Sequence, residues 1–184
     1  MNYYVAAPSR KKKAVPKDNL LEITYTLSAW RTGERDGLPS DRTLSVDYGA
    51  EYAPVGNSYL CVYGWTREPL VEYYVVQSWG NWRPPGATAL ATVEIGDATY
   101  DIYETQRVNQ PSIDGTQTFQ QYWSVRKGKR TEDVICLTDH FAAWQEQGLE
   151  LGKLYEVALT VEGYQSSGAA NIYHNEIIIE EAAD

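Results

Sequence analysis

From Leu20 onward the chain alternates apolar with polar or aromatic side chains in short segments, and turn formers close almost every one of them. A period of two puts successive side chains on opposite faces of an extended strand, whereas a helix needs a period of 3.6. The pattern therefore confines the chain to an all-β sandwich or barrel, with predicted strands over 21–30, 42–48, 58–65, 70–78, 89–95, 98–107, 117–126, 131–137, 154–164 and 172–180. Asp36-Gly37-Leu38-Pro39, Pro84-Pro85-Gly86, Gly96-Asp97 and Asp114-Gly115 supply the turns. Almost no helical segment lies between strands, which disfavours parallel βαβ architecture. One helix is expected over 139–147, with Thr138 or Asp139 as N-cap, Phe141 and Trp144 on one face, and Gly148 to end it. His140, in its first turn, reads as a structural residue. At 184 residues the chain is expected to form a single domain, 1–184, with 1–19 as a loosely ordered basic arm.

Charge is unevenly distributed. Residues 1–17 hold Arg10, Lys11, Lys12, Lys13 and Lys17 and no acid, which leaves 18–184 with 11 basic against 25 acidic side chains. An acidic body repels phosphate backbones, so no nucleic-acid partner is expected, and the basic arm reads as a solvated tail. No stretch reaches the length of a membrane span, nor does an apolar run of signal-peptide length follow the N-terminal charges, so no membrane partner is expected. Two cysteines, Cys61 and Cys136, cannot build a Cys-rich zinc site, and whether they are bonded is not readable from their spacing. Two histidines, His140 and His174, leave little material for a metal centre or a Ser/His/Asp triad. No metal or cofactor is expected, and any chemistry falls to carboxylates.

The aromatic usage, 15 Tyr and 6 Trp against 2 Phe, favours surfaces that are aromatic and wet at once. Such surfaces suit sugars, although Tyr also simply fits half-buried sheets. Alternation sorts Tyr59, Cys61, Tyr63 and Trp65 onto one face, opposite Leu60 and Val62. It likewise groups Glu72 with Tyr74, Gln121 with Trp123 and Phe119, and Glu162 with Glu156, Ala158, Thr160 and Tyr164. An aliphatic face for the core is thus backed by a second face of Tyr, Trp, Gln and Glu, which has the character of a cleft floor. Glu72 and Glu162 on it are either ordinary exposed glutamates or an acid/base pair.

Specific strings bear on that choice. Tyr59-Leu60-Cys61-Val62-Tyr63-Gly64-Trp65-Thr66-Arg67, Pro69-Leu70-Val71-Glu72-Tyr73-Tyr74-Val75-Val76, Thr99-Tyr100-Asp101-Ile102-Tyr103, Pro111-Ser112-Ile113-Asp114-Gly115-Thr116-Gln117-Thr118-Phe119, Gln121-Tyr122-Trp123-Ser124-Val125-Arg126 and Glu162-Gly163-Tyr164-Gln165-Ser166-Ser167-Gly168 follow one another in this order. Through them the sequence resembles the family 11 glycoside hydrolases, the small xylanases, over roughly residues 47–173. The resemblance implies a β-jelly roll of two twisted antiparallel sheets forming a long cleft, with a single outer α-helix. It further implies a secreted endo-β-1,4-xylanase acting on xylan or xylo-oligosaccharide as a monomer outside the cell. Glu72 would be the nucleophile and Glu162 the general acid/base of a retaining double displacement. Tyr63 and Tyr74 would orient the nucleophile and the sugar, and Arg107 and Gln121 would hydrogen-bond in the cleft. Pro111, Ser112 and Ile113 would form a thumb tip, and Tyr59, Trp65, Trp123 and Tyr164 would line subsites. An ionised Glu72 disfavours a second negative charge nearby, which keeps the proton on Glu162.

The first 46 residues follow the family poorly, lacking its Gly-rich turns and Trp-containing strand. The Asn or Asp that the resemblance would place beside the acid/base is not legible there, and Ile177-Ile178-Ile179-Glu180 extends past the usual finish. Such a chain reads as a divergent member, or one rebuilt around a retained centre. The alternative to an enzyme is a xylan-binding jelly roll whose altered supporting shell gives little turnover.

Overall fold

The computed structural model describes residues 3–7, 10–13, 22–31 and 41–182. These form ten strands and one helix: β1 (Tyr3–Ala7), β2 (Arg10–Lys13), β3 (Glu22–Arg31), β4 (Arg42–Arg67), β5 (Val71–Trp79), β6 (Ala91–Ile95), β7 (Ala98–Ser112), β8 (Gly115–Arg126), β9 (Glu132–Cys136), α1 (Leu137–Glu146) and β10 (Lys153–Glu181). The all-β architecture that the alternation requires is present with one helix, in the jelly roll that the resemblance implies.

Four expectations need correction. The predicted strands 42–48 and 58–65 are one strand, β4, and 154–164 and 172–180 are both parts of β10. The two layers are continuous, in the order β2-β1-β10-β4-β5-β8-β7-β6, with β3 on β10 and β9 on β4. Pairing is not purely antiparallel, since β5 runs parallel to β8 and β1 parallel to β10. Within the segment read as an irregular arm, 3–7 and 10–13 are paired strands. The turn read at 36–39 lies outside the described residues.

The sheet folds over on itself at a bulge. Asn57 faces Tyr164 and Val55 faces Ser167, so Gly56 alone opposes two residues of β10. Gly56 has φ +98°, a conformation that costs a Cβ-bearing residue energy, and the extra residue sharpens the local twist. The fold brings Leu44, Val46 and Tyr48 of early β4 against Leu60 and Val62 of late β4, together with Val157, Leu159 and Val161 of β10. Each of these aliphatics is fully buried, worth about 1.5–3 kcal/mol apiece.

The helix closes the back of this core with Leu137, His140, Ala143 and Trp144. Trp144 packs beside Tyr73 and Tyr122, and Phe141 meets Tyr73 edge-on at 5.3 Å. Its start differs from expectation: Cys136 is the N-cap and makes no side-chain cap bond, and the Thr138 hydroxyl, inside the first turn, accepts the Leu44 N–H at 2.9 Å. Its end is as read. Leu149 N–H reaches the Trp144 carbonyl and Gly148 N–H the Gln145 carbonyl, the paired bonds of a Schellman stop. His140 is buried edge-on to Tyr100 at 4.6 Å, a core residue as expected. Both cysteines are free.

Candidate active site

The opposite face of β4, β5, β7, β8 and β10 is concave. Tyr59, Cys61, Tyr74, Val76, Tyr103, Trp123 and Val125 form its buried layer, and above them opens a cleft of about 710 Å³. Alternation dictates this separation: Glu72 and Tyr74 on β5 point into the cleft while Val71, Tyr73 and Val75 enter the core. Of the residues expected from sequence, Tyr59, Tyr63, Glu72, Tyr74, Arg107, Pro111, Gln121, Trp123, Glu162 and Tyr164 line the cleft together.

Glu72 is buried and heavily solicited by donors. Its Oε1 accepts the Tyr63 hydroxyl at 2.9 Å and its Oε2 accepts Gln121 Nε2 at 2.6 Å. Tyr74 also hydrogen-bonds this carboxyl, and the Arg107 guanidinium supplies a favourable charge. Two relays fix these donors. Trp65 Nε1 donates to the Tyr63 oxygen at 2.6 Å, leaving the tyrosine proton for Glu72. Trp123 Nε1 donates to Thr105 Oγ1 at 2.9 Å, and the Thr105 hydroxyl donates to Gln121 Oε1 at 3.0 Å, which turns the amide nitrogen toward Glu72. The Trp123 ring is itself locked by stacking on Tyr74, 3.9 Å between centroids. Glu162, buried on β10, accepts the Tyr59 hydroxyl.

Burial pushes the Glu72 carboxyl above its ordinary range, and the bonds from Gln121, Tyr63 and Tyr74 and the Arg107 charge restrain that rise. Sequence reasoning has Glu72 simply ionised. In the folded chain ionisation is opposed by desolvation and depends on the donors, a balance that alternation cannot reveal. Cys61, fully buried beneath the floor, is pushed up by burial and by the Glu72 charge, so its thiol stays protonated and inert.

Three expected residues do not line the cleft. Trp65 acts through Tyr63, as the relay shows. Ser112 and Ile113 sit at the β7–β8 hairpin end, where Ser112 Oγ donates to the Gly115 carbonyl and accepts the Asp114 N–H. Arg67 grips Asp114 beside them through two bonds, 3.1 and 2.6 Å, and lies 4.1 Å over the Tyr155 ring. Conversely, Asn57, Trp82, Pro85, Thr105, Gln106 and Gln110 line the cleft unforeseen, and Phe119 lines it on the face where alternation groups it with Gln121 and Trp123. Thr105 and Phe119 share the cleft face by alternation and were legible, whereas Trp82 and Pro85 lie in a turn with no period to read. Two strands stand in register beside Glu162: β4 brings Tyr59 opposite it and β3 brings Thr24. Neither Asn nor Asp holds either register position.

Among the described residues no group of three or more His, Cys, Asp or Glu side chains could hold a metal, and no helix is long and apolar enough to cross a membrane.

The family model for glycosyl hydrolases family 11 matches residues 22–173. Endo-1,4-beta-xylanase A of Thermoclostridium stercorarium is 69% identical over 136 residues, which are 74% of this chain and 21% of that protein. Endo-1,4-beta-xylanase A of Bacillus pumilus is 57% identical over 136 residues, 74% of this chain and 59% of that one. The chain thus spans only about a fifth of the first of these relatives and under two thirds of the second. The solved family 11 xylanase from Neocallimastix patriciarum superposes with a TM-score of 0.77 at 37% identity, covering 86% of this chain and 75% of that one.

Proposed function

The chain belongs to glycosyl hydrolase family 11, and on that premise we propose that it hydrolyses internal β-1,4-xylosidic bonds of xylan with retention of configuration. The observation that carries the proposal is the pair of buried carboxylates, Glu72 and Glu162, opening into one aromatic cleft with different hydrogen-bond partners. Glu72 attacks the anomeric carbon as the bond to the leaving oxygen breaks, and Glu162 gives its proton to that oxygen. The glycosyl ester on Glu72 has lost the carboxylate charge. Glu162, now ionised, takes a proton from water, which attacks the same carbon and frees Glu72. Two inversions leave the β configuration. Tyr63, Tyr74 and Gln121 hold Glu72 in line, Arg107 offsets the acidity of the cleft, and the aromatic walls accept uncharged pyranose rings without a metal or cofactor. A polymer of this kind does not cross membranes, so the enzyme works outside the cell.

The test is reducing-sugar release from soluble xylan by the chain, by Glu72→Gln and by Glu162→Gln, with product anomers followed by NMR. β-Anomeric oligosaccharides from the parent, and loss in both variants, support the roles. Release of α-anomers, or a well-folded parent that binds xylan and releases nothing, overturns the proposal.

A further inference from the structure

Four of the basic residues near the N-terminus, Arg10, Lys11, Lys12 and Lys13, make up β2, the outermost strand of the sheet. β2 joins the sheet through β1, which pairs in parallel with β10. Alternation places Arg10 and Lys12 on one face of β2 and Lys11 and Lys13 on the other, so neither face is apolar. One or two charges suffice to keep an edge strand from pairing with another chain. Four in succession repel one another, a cost that a nearby anion relieves. The strands in register with β2 hold no acidic residue: β1 opposes it with Tyr4, Val5, Ala6 and Ala7, and β1 in turn faces Gly168, Ala169, Ala170 and Asn171. Basic residues of the body are placed differently, since Arg42, Arg67, Arg83, Lys127, Arg130 and Lys153 each lie within 3.4 Å of a carboxylate. β2 is thus a concentrated positive edge on an acidic body.

That edge lies beside one end of the cleft. β10 carries Glu162 and Tyr164 in the cleft and then, past its bulge, the residues that pair with β1. Lys13 stands opposite Tyr4, and Tyr4 opposite Ala169, which is five residues on from Tyr164. Strand rise and strand spacing together put Lys13 no more than about 20 Å from Tyr164. An acidic body repels a polymer that bears carboxylates, whereas a positive edge next to the cleft draws it in at that point. Resting on the glycosidase reading above, we propose that β2 is a docking edge for the carboxylates of xylan that bears uronic acids. It holds the polymer outside the cleft and makes acidic xylan a better substrate than neutral xylan.

The experiment compares hydrolysis of glucuronoxylan with that of the same polymer after its uronic acids have been reduced to neutral sugars, which removes the charge and keeps the backbone. At low salt the parent has a KM about three- to tenfold lower on the acidic polymer, the range of a few exposed charge pairs acting together, with similar kcat on both. Replacing the four residues together, Arg10→Gln, Lys11→Gln, Lys12→Gln and Lys13→Gln, removes the difference and leaves kcat/KM on neutral xylohexaose unchanged. Salt does the same to the parent, as the screening length falls from ~30 Å at ~0.01 M to ~3 Å at ~1 M. Lys11→Gln and Lys12→Gln alone each take part of the difference, and they carry the test if circular dichroism shows the fourfold variant to be unfolded. Equal KM values for the two polymers in the low-salt parent, or a preference that survives in the folded variants, overturns the proposal. If the preference is absent and the four residues instead retain the chain on phosphatidylserine vesicles, the partner is a membrane and the proposal falls. If the parent cleaves neither polymer the hydrolase reading fails separately, and the same contrast is then read from Kd values of the two polymers.

Discussion

Replacing Gln121 by Met keeps the side-chain volume and removes the 2.6 Å donor to Glu72 Oε2. Hydrogen bonds to a charged group are worth about 1.5–3 kcal/mol. Losing this one raises the Glu72 pKa further, beyond the upward shift that burial already gives it. Glu72 attacks only as the carboxylate, so the acidic limb of the pH profile moves to higher pH. An aryl β-xylobioside is the right substrate, since its phenolate leaves with little help from Glu162. In kcat/KM, which reports the free enzyme, the variant should lose about ten- to a hundredfold well below the limb and recover much of the loss above it. Thr105→Val, which frees the Gln121 amide to rotate without deleting it, should move the limb the same way by less. A drop of equal size at every pH, with the limb unmoved, would refute the electrostatic reasoning and make Gln121 a purely steric support.

Burial pushes the His140 imidazole down to about 3, against an ordinary value near 6.5. The unfolded chain therefore takes up the proton first, and stability present above about pH 6.5 is lost on acidification, by about 3 kcal/mol at pH 4. His140→Gln should flatten Tm against pH over that window. The Arg67–Asp114 pair is partly exposed, so Asp114→Asn should cost less than about 1 kcal/mol in Tm. It should nonetheless speed amide exchange at Ile113 and Gly115, as high salt should in the parent. A Cβ on Gly64 would run into the Glu156 carbonyl and the Tyr73 hydroxyl, which bond each other at 2.6 Å across it. Gly64→Ala should thus cost about 3 kcal/mol by urea unfolding.

What the sequence determined by itself is what depends on near neighbours. Because side chains alternate strictly along a strand, Glu72, Tyr74, Gln121, Trp123 and Glu162 could be assigned to one face and Val71, Val157 and Leu159 to the other, and the family strings named the two carboxylates. The helix end was equally local, set by Gly148. What only the tertiary structure decided is what depends on pairing between distant segments. That β4 and β10 run unbroken through both layers, that β5 lies parallel to β8, and that Thr24 stands beside Glu162 follow from register, which no single segment encodes. The relays from Trp65 and Trp123 to Glu72 each join residues of more than one strand, so the local pattern gave Trp65 a place in the cleft that it does not take. The protonation balance at Glu72 lies at the same level, because desolvation is a property of everything packed around a carboxyl rather than of the residues beside it in the chain.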